Sequence, residues 1–496
     1  MTLAIVHSRA IIGITAPTVT VETHISNGLP NFSIVGLPET AVKESRDRVR
    51  SALLNTQFDF PAQRITVNLA PADLPKEGGR FDLPIALSIL AATGQLPRDQ
   101  LEHYEFAGEL ALSGELRPIQ GALPFSFASG KLQRTLILPL ANADEAALAK
   151  DTVVLPANHL LEVCAHLCAQ KNLTRHEIEL NLSNDETLLD LSDVNGQPHA
   201  KRALEIAAAG NHSLLFIGPP GTGKTMLASR LPGVLPMLTD DEAIEVAAIA
   251  SITNKSFNRS NWRKRPFRSP HHSASSVALV GGGSPPRPGE ISLAHQGVLF
   301  LDELPEFNRR VLEGLREPLE SGTITISRAA RQAEFPARFQ LIAAMNPCPC
   351  GHAGNPNRQC RCTYEQIQRY RTRLSGPLLD RIDMHVEVPP SPHTSQQNNL
   401  PSECSAQVRV RVEKARQIQL QRAGKNNSVL MGKELEQFCK LNPGDKQLLE
   451  IAVQKFGLST RACHRIIRIA RTIADLGNST HISTEHLTEA LTYRQL

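Results

Sequence analysis

The order of apolar and polar residues predicts different structures in successive parts of the chain. Residues 18–25 and 64–68 alternate between the two classes, which is typical of strands with one buried face. Residues 41–55 instead carry apolar residues at helical spacing, with charged residues on the other side. We therefore expect a mixed α+β domain over residues 1–190.

A different pattern follows in the middle of the chain. Short apolar runs at residues 213–217, 298–301 and 339–344 are typical of strands that are buried on both faces of a parallel sheet. Segments with helical patterns separate these runs. Residues 191–392 are therefore expected to form an α/β domain with a parallel sheet.

The last part of the chain has several helical patterns and almost no β-branched runs. Residues 389–401 are rich in Pro, Ser, Asn and Gln, and we interpret them as a linker. Residues 403–496 are expected to form a small helical bundle. In it, Arg461, Arg465 and Arg468 share one helix face, opposite an apolar face.

The composition narrows the class of protein without identifying a partner. A net charge of +4 over 496 residues excludes a histone-like protein and neither requires nor excludes nucleic acid. No run approaches about 18 apolar residues and no secretory signal is evident, so we expect no membrane partner and a cytoplasmic location. Nine cysteines, four of them clustered, indicate reduced thiols and one metal site.

The most specific short motif is a glycine-rich loop between a predicted strand and a predicted helix. It matches the phosphate-loop pattern GxxxxGK[ST] and consists of Gly218, Pro219, Pro220, Gly221, Thr222, Gly223, Lys224 and Thr225. The glycines let backbone N–H groups turn toward phosphates. Lys224 is expected to reach the β- and γ-phosphates, and Thr225 to offer its hydroxyl to Mg²⁺. The chain is therefore expected to bind ATP with Mg²⁺.

Polar residues at two further strand ends extend this candidate site. The run GVLFLDE ends in Asp302, which is expected to hold Mg²⁺, and in Glu303, which is expected to polarise the attacking water. A buried strand with a solvated acidic end would look similar, but the order after the phosphate loop disfavours that interpretation. Asn346 follows the strand predicted at 339–344 and is placed to orient the same water.

Four cysteines predict a metal site. Cys348, Cys350, Cys360 and Cys362 form two CxC pairs, and four thiolates at close spacing suit a structural, tetrahedral Zn²⁺. Four free reduced thiols are the alternative. His352 is a second candidate ligand, although a surface histidine is the simpler interpretation.

Longer motifs in all parts of the chain resemble one protein family. They include GLPETAVKESRDRVRSALLN (36–55), FRSPHHSASSVALVGGG (267–283), PGEISLAHQGVLFLDELPEF (288–307), AAMNPCPCG (343–351) and SGPLLDRIDMHVEVP (375–389). By these motifs the chain resembles the YifB/ComM family of magnesium-chelatase-like AAA+ ATPases. The resemblance implies a Lon-protease-like (ChlI-type) N-terminal domain, an AAA+ core and a helical lid, assembled as a homo-oligomeric ring, usually a hexamer. It also implies ATP-driven branch migration of DNA in natural transformation.

The resemblance assigns roles to single residues. Asn346 stands where the family has its first sensor, and Arg461 matches the second sensor on the lid. Arg381 matches an arginine finger that would reach a neighbouring subunit's γ-phosphate, with Arg373 as the rival. Each arginine also has a plainer interpretation as a surface ion pair that contributes at most about 1 kcal/mol.

The N-terminal domain departs from the Lon-type proteases that its fold resembles. Those enzymes use a serine in a glycine turn and a later lysine. Here Arg80 stands at the serine position, and Leu123 stands at the lysine position. We therefore expect no peptidase activity and interpret this domain as a binding or assembly module.

Three segments are candidates for DNA contact. Residues 255–268 mix basic with aromatic residues, which can neutralise phosphates and stack on bases, although a solvated loop fits equally well. Residues 323–338 predict a hairpin that would point into a ring's channel, and residues 280–290 predict a glycine-rich pore loop. The adjacent His271 and His272 are expected to point apart and to bind no metal.

These observations leave three functional hypotheses. The leading one is a ring-forming DNA translocase that performs branch migration. The second, from another class, is a chelatase-type motor that remodels a partner protein for metal insertion. The third is a scaffold that nucleotide switches without catalysis, and the intact Lys224, Asp302, Glu303 and Arg381 argue against it.

Overall fold

The computed structural model describes residues 3–37, 39–178, 189–253, 258–283, 286–328, 331–355, 358–390 and 403–494. The chain divides into two compact units, which are described separately. The first comprises Met1–Leu182 and Ala243–Trp262, and the second comprises Ser183–Glu242 and Arg263–Leu496. The sequence did not predict that Ala243–Trp262 groups with the first unit. Most of the predicted linker at 389–401 lies outside the described residues.

Among its described residues, the first unit contains nine strands and five complete helices. The strands are β1 (Leu3–Arg9), β2 (Thr18–Ser26), β3 (Asn31–Val35), β4 (Arg64–Ala70), β5 (Tyr104–Phe106), β6 (Glu109–Leu110), β7 (Leu116–Arg117), β8 (Thr135–Pro139) and β9 (Val154–Ala157). The helices are α1 (Thr40–Asn55), α2 (Asp82–Ala92), α3 (Ala122–Lys131), α4 (Ala143–Ala146) and α5 (Leu160–Leu167).

Seven of these strands form one mixed sheet. Its order is β3-β4-β2-β1-β5-β8-β9, with antiparallel pairing from β4 through β2 to β1 and parallel pairing elsewhere. Alternate side chains of β2 and β4 are buried, which confirms the strands predicted there. Leu123 is buried in α3, and the Arg80 Nε donates to the Glu77 carbonyl.

The second unit contains the remaining described elements. Its strands are β10 (Leu214–Ile217), β11 (Phe267–Arg268), β12 (Gly281–Gly282), β13 (Arg287–Pro288), β14 (Val298–Leu301), β15 (Thr323–Arg328), β16 (Arg331–Pro336), β17 (Gln340–Met345) and β18 (Met384–Glu387). The helices before β18 are α6 (Pro198–Gly210), α7 (Lys224–Val234), α8 (Asp240–Ser251), α9 (Ser276–Val280), α10 (Glu290–Leu293), α11 (Arg309–Glu313), α12 (Arg316–Ser321), α13 (Tyr364–Arg371) and α14 (Gly376–Leu379). The division between the two units falls within α8. Five helices follow: α15 (Ser405–Ala423), α16 (Lys433–Phe438), α17 (Pro443–Phe456), α18 (Thr460–Leu476) and α19 (Thr484–Thr492).

A five-stranded parallel sheet forms the centre of the second unit. Its order is β11-β14-β17-β10-β18, and every neighbouring pair is parallel. All residues of β10, β14 and β17 are buried, so the continuous apolar runs in the sequence predicted them correctly. Because the strands are parallel, the loops that follow them meet at one edge of the sheet, which we call the carboxyl edge.

The C-terminal helices pack into the same hydrophobic core as this sheet. Ile466, Ala470, Ile473 and Ala474 of α18 are buried, which confirms the predicted apolar face of that helix. The predicted mixed α/β fold with a helical C-terminal part is therefore confirmed. Within the described residues, no helix combines the length and the apolar character that crossing a membrane requires.

Candidate active site

The predicted phosphate loop joins β10 to α7 at the carboxyl edge of the parallel sheet. Gly221 and Gly223 have φ angles of +78° and +88°, which favour glycine. At Gly218, an added Cβ would lie 2.3 Å from the Val388 carbonyl oxygen of the neighbouring strand end. The glycines of the motif are therefore required by backbone conformation and by close packing.

Lys224 is the first residue of α7, and its ammonium is held inside the loop. Its Nζ donates to the carbonyl oxygens of Gly218 and Pro219 at 2.7 and 2.8 Å and to the Asn346 Oδ1 at 3.2 Å. Burial lowers the pKa of Lys224, while the carboxylates of Asp302 and Glu303 act in the opposite direction. A buried cation ringed only by neutral acceptors suits a phosphate anion.

Thr225 and Asp302 lie together at the next position around the site. The Thr225 Oγ1 donates to the Asp302 Oδ2 at 2.6 Å, although the residues are 77 positions apart. A hydroxyl and a carboxylate are the hard oxygen ligands that Mg²⁺ prefers. These two side chains therefore fit the predicted magnesium site.

Glu303 follows Asp302 in a left-handed backbone conformation, with φ of +51°. Its backbone N–H donates to the Asp302 Oδ1 at 2.9 Å, which orients the Asp302 carboxylate. The Glu303 carboxylate takes no part in this hydrogen bond. Such a conformation costs about 1 kcal/mol or more for a residue other than glycine and is common at functional sites. The Glu303 carboxylate remains half-exposed and accessible to water.

His272 is a site residue that sequence reasoning missed. Its Nδ1 lies 3.1 Å from the Glu303 Oε2. The prediction that the His271 and His272 side chains point apart is wrong. Their ring centroids are only 4.1 Å apart. Phe307 forms an edge-on contact with His272, with a centroid separation of 6.5 Å. The signal was its place after β11, the strand that pairs with β14.

Arg381 lies at the opposite edge of the same sheet. It precedes β18, whereas the phosphate loop follows β10, and the two strands are parallel neighbours with Leu214 opposite Met384. The four-residue ladder between them separates the two groups by roughly 13 Å along the strands. Arg381 and Lys224 of one chain therefore belong to different surfaces of this unit.

Arg381 and Arg461 share a cavity at this second edge, which we call the amino-edge cavity. Its volume is about 520 Å³. The basic residues that line it are Arg381, Arg461, Arg465 and Arg468, together with His464, and the acidic ones are Glu320 and Asp383. Neither Lys224 nor Asp302 lines it. The structure thus brings the finger and second-sensor candidates together, away from the phosphate loop of their own chain.

A buried ion pair fixes the lid helix α18 to the core beside this cavity. Asp383 pairs with Arg465, and its other oxygen accepts from the Ser213 backbone N–H at 3.0 Å. Burial alone would raise the pKa of Asp383, but Arg465 and His212 hold it below its usual range. Arg373, the rival finger, instead pairs with Glu306 at 2.8 Å.

The four predicted zinc ligands come together in the loop between β17 and α13. Their sulfur atoms all lie within 4.8 Å of one another, and the Sγ–Sγ separations from Cys348 to Cys350 and Cys360 are 3.4 and 3.7 Å. A tetrahedral site with Zn–S bonds of about 2.3 Å requires separations of roughly 3.8 Å. All four are free thiols, so the geometry fits a metal and not a disulfide. His352 is not part of the group.

The cysteine loop also packs against the phosphate loop. An added Cβ on Gly351 would lie 2.6 Å from the Pro220 Cδ. On α13, which follows the cysteines, the Tyr370 hydroxyl bonds to the backbone of Asn346. The cluster therefore supports both the loop and the polar strand tip of the candidate site.

The basic–aromatic segment forms contacts within the chain. The ion pairs are Arg259 with Asp144, Arg263 with Asp240, Arg265 with Glu242 and Arg268 with Glu290, and Trp262 is buried. Lys255 and Phe257 lie outside the described residues. In the predicted hairpin, β15 and β16 pair in register, and the last pair is Arg328 opposite Arg331. The glycine-rich segment pairs β12 with β13.

Comparison with family profiles matches three regions of the chain. Residues 190–396 match magnesium chelatase, subunit ChlI, and residues 21–142 match the subunit ChlI of Mg-chelatase. Residues 402–494 match the C-terminal part of magnesium chelatase subunit ChlI. Matched regions therefore lie in both units.

Full-length relatives give the same result. Competence protein ComM of Haemophilus influenzae is 58% identical over 503 residues, covering 100% of this chain and 98% of that protein. YifB of Escherichia coli is 54% identical, with the same coverage of 100% and 98%. DNA replication licensing factor Mcm2 of Drosophila melanogaster is 24% identical over 49% of this chain and 26% of its own length. The chain belongs to the YifB/ComM family of magnesium-chelatase-like AAA+ ATPases.

Proposed function

We propose that the protein is a cytoplasmic, ring-forming motor that hydrolyses ATP to drive branch migration of DNA during recombination of incoming strands. The observation that carries the proposal is the separation of Lys224 and Arg381 to opposite edges of one sheet. A chain with this geometry completes a hydrolytic site only with a neighbour, and head-to-tail contacts of that kind form a ring when the rotation between subunits closes.

The residues at the carboxyl edge bind the nucleotide in this proposal. Lys224 and the glycine loop hold the phosphates, while Thr225 and Asp302 hold Mg²⁺, which when bound offsets phosphate charge. Glu303 accepts a hydrogen bond from the attacking water, and Asn346 orients that water. All these groups lie at one edge of the sheet.

The residues at the amino-edge cavity act on the nucleotide of the adjacent subunit. Arg381 stabilises the charge that develops on the γ-phosphate in the transition state. Arg461 is exposed at the same cavity and, among the described residues, forms no ion pair. We assign it to the same neighbouring nucleotide rather than to that of its own chain.

The DNA part of the proposal rests on relatives and on two structural elements. One relative is named a competence protein and a distant one a DNA replication licensing factor. The hairpin of β15 and β16 and the β12–β13 loop are candidates for the channel surface. The cysteine cluster is assigned a structural Zn²⁺ that supports the phosphate loop.

ATP turnover with different additives tests the proposal. We expect stimulation by branched DNA, and none by heparin or by protoporphyrin. A strand-exchange assay on a synthetic Holliday junction should show ATP-dependent migration, with Lys224→Ala as the control that binds no nucleotide. Stimulation by porphyrin or by a chelatase partner, without any response to DNA, would favour partner remodelling instead.

The role of Glu303 gives a second test. Glu303→Gln keeps the side-chain volume but cannot accept a proton, so ATP binding should be retained. Turnover should fall by about 10²- to 10⁴-fold, the usual contribution of a general base. Binding of a fluorescent ATP analogue and phosphate release measure the two effects. Turnover equal to that of the wild type would refute the assignment.

A further inference from the structure

Glu320 holds the candidate arginine finger within its own chain. The Arg381 Nη2 lies 2.5 Å from the Glu320 Oε1, and the Arg381 Nη1 donates to the Pro377 carbonyl at 2.7 Å. The Arg381 side chain is 8% exposed and that of Glu320 is 54% exposed. The carboxylate thus stands at the open side of the guanidinium, where a phosphate from a neighbouring chain would approach.

The Arg381 guanidinium cannot bind the Glu320 carboxylate and a neighbour's γ-phosphate with the same N–H donors. A carboxylate and a phosphate are both bound through the N–H groups of the planar fork, and two adjacent anions repel each other. Arg381 must therefore release Glu320 before it can contact a γ-phosphate. Its Nε is buried and, among the described residues, without a hydrogen-bond partner, so it is not a donor that a phosphate from outside could reach in place of the groups that face Glu320.

Glu320 is directly connected to the β15–β16 hairpin. It is the penultimate residue of α12, and Gly322, with φ of +72°, makes the turn into β15. The Ser321 Oγ lies 3.0 and 2.9 Å from the carbonyl oxygens of Glu317 and Thr323, which share its one O–H, and it accepts from the Thr323 backbone N–H at 3.2 Å. Helix end and strand start are thereby tied together, so a displacement of β15 moves Glu320.

The base of the hairpin is packed against the β12–β13 segment. Ile324 and Phe335 are cross-strand partners and both are buried. Ile326 is also buried, and its Cδ1 would lie 2.5 Å from a Cβ added to Gly281 of β12. The two elements assigned to the channel surface therefore form one packed body, and α12 is its connection to the amino-edge cavity.

We propose that Glu320 is a positioning residue that sequesters Arg381 until movement of the hairpin withdraws it. Engagement of DNA by the hairpin then releases the finger toward the neighbour's nucleotide, which couples polymer binding to hydrolysis. This inference rests on the proposed function, because it assigns the hairpin to DNA and Arg381 to the neighbouring site. The finger is thus inhibited within its own chain when no polymer is bound.

The test compares Glu320→Gln with two matched variants. Glu317→Gln removes an exposed carboxylate one turn earlier on α12, and Glu320→Asp keeps the charge. Without DNA, Glu320→Gln should raise kcat for ATP about two- to fivefold. Loss of a partly exposed ion pair increases the fraction of chains with a released Arg381 by about that factor. The KM for ATP should not change, and the ratio of DNA-stimulated to basal turnover should fall by the same factor. The other two variants should behave as the wild type.

Ring assembly gives a readout that does not depend on turnover. With a non-hydrolysable ATP analogue, Glu320→Gln should assemble at about two- to fivefold lower protein concentration, measured by sedimentation. The shift should vanish in the Arg381→Ala background. Unchanged basal turnover and an unchanged assembly midpoint for Glu320→Gln would overturn the inference. An absence of DNA stimulation in the wild type would instead count against the proposed function, while the basal rate and the midpoint still decide the role of Glu320.

Discussion

At the scale of single residues, the environment of Glu303 determines how the candidate base is used. Its carboxylate is half-exposed and has one close cationic or hydrogen-bonding neighbour among the described side chains, the imidazole of His272 at 3.1 Å. His272 itself contacts the His271 ring and the Phe307 ring. A side chain held by two ring contacts can hold the carboxylate it contacts, so we interpret His272 as a positioning residue for Glu303.

Replacement of His272 tests that interpretation. His272→Ala should lower kcat by about tenfold, since a base displaced by even 1 Å loses much of its efficiency. The KM for ATP should stay the same, because Lys224 and Thr225 are untouched. His271→Ala is the matched control and should have a smaller effect. An equal loss in both variants would mean that the histidine pair only supports packing.

Sequence patterns predicted the candidate site residues that belong to local motifs, but they did not predict the side-chain contacts between distant parts of the chain. Lys224 and Thr225 belong to a loop whose conformation depends on its own glycines, and Asp302 ends a strand whose burial is visible in its composition. The contacts His272–Glu303 and Glu320–Arg381 join residues 31 and 61 positions apart (303 − 272 and 381 − 320) on different elements. No local spacing encodes such pairs, because only the packing of the elements brings them together.

At the scale of elements, the cysteine loop and the phosphate loop behave as one packed pair. Gly351 lies against Pro220, and Asn346, two residues before the first cysteine, accepts from Lys224. The loop between β17 and α13 has few apolar residues of its own, so we expect a metal to determine its shape. Loss of the metal should then weaken nucleotide binding.

The zinc assignment can be tested with one substitution. Cys360→Ser should reduce the zinc content from about one equivalent to near zero. The thermal midpoint should fall by roughly 5 °C or more, and ATP affinity should fall with it. Cys463→Ser, at a partly exposed cysteine of α18, is the control and should keep its zinc. A fully active wild-type preparation that contains almost no zinc by elemental analysis would contradict the assignment.

The contact between the two loops has its own matched pair of variants. Gly351 and Gly354 have similar φ angles of +79° and +73°, so alanine adds the same backbone strain at both. Only at Gly351 would the new Cβ meet Pro220, whereas at Gly354 it would meet nothing within 4 Å. Gly351→Ala should therefore weaken ATP binding by about tenfold, or about 1.4 kcal/mol, measured by calorimetry. Gly354→Ala should change the affinity by less than about twofold. Equal affinities in the two variants would exclude the proposed support.

Elements were predicted well where one physical property dominates. Strands β10, β14 and β17 are short and wholly buried, and α18 has one apolar face, so composition and periodicity suffice. Residues 255–268 show the limit of composition. Their charges suggested a surface for DNA, but Arg263, Arg265 and Arg268 are used in ion pairs within the chain.

At the scale of the whole molecule, the two edges of the parallel sheet carry complementary halves of one proposed site. Arg381→Ala removes the finger, and Lys224→Ala removes the phosphate ligand, so each variant alone should be inactive. When equal amounts are mixed, roughly a quarter of the interfaces pair an intact loop with an intact finger. Turnover should recover to roughly that fraction of the wild-type rate, measured after co-assembly from dissociated chains.

A second mixture controls for simple stabilisation of rings by partner subunits. Lys224→Ala and Glu303→Gln both damage the carboxyl-edge half, so no interface in their mixture is complete. That mixture should stay inactive at every ratio. Absence of recovery in the first mixture, with mixed rings demonstrated by sedimentation of labelled chains, would show that the site does not lie between subunits.

The position of Lys224 and Arg381 on opposite edges also bears on how the protein would behave at different copy numbers. On the proposed arrangement an isolated chain can bind ATP but lacks the arginine finger of a neighbour. Dilute protein therefore binds nucleotide without hydrolysing it. Turnover per chain should then rise with protein concentration and level off once rings are full. A cell that holds its concentration below that point would consume no ATP on this protein until chains gather on a common DNA strand. Expression level would thus set the threshold of the response, without any separate inhibitor.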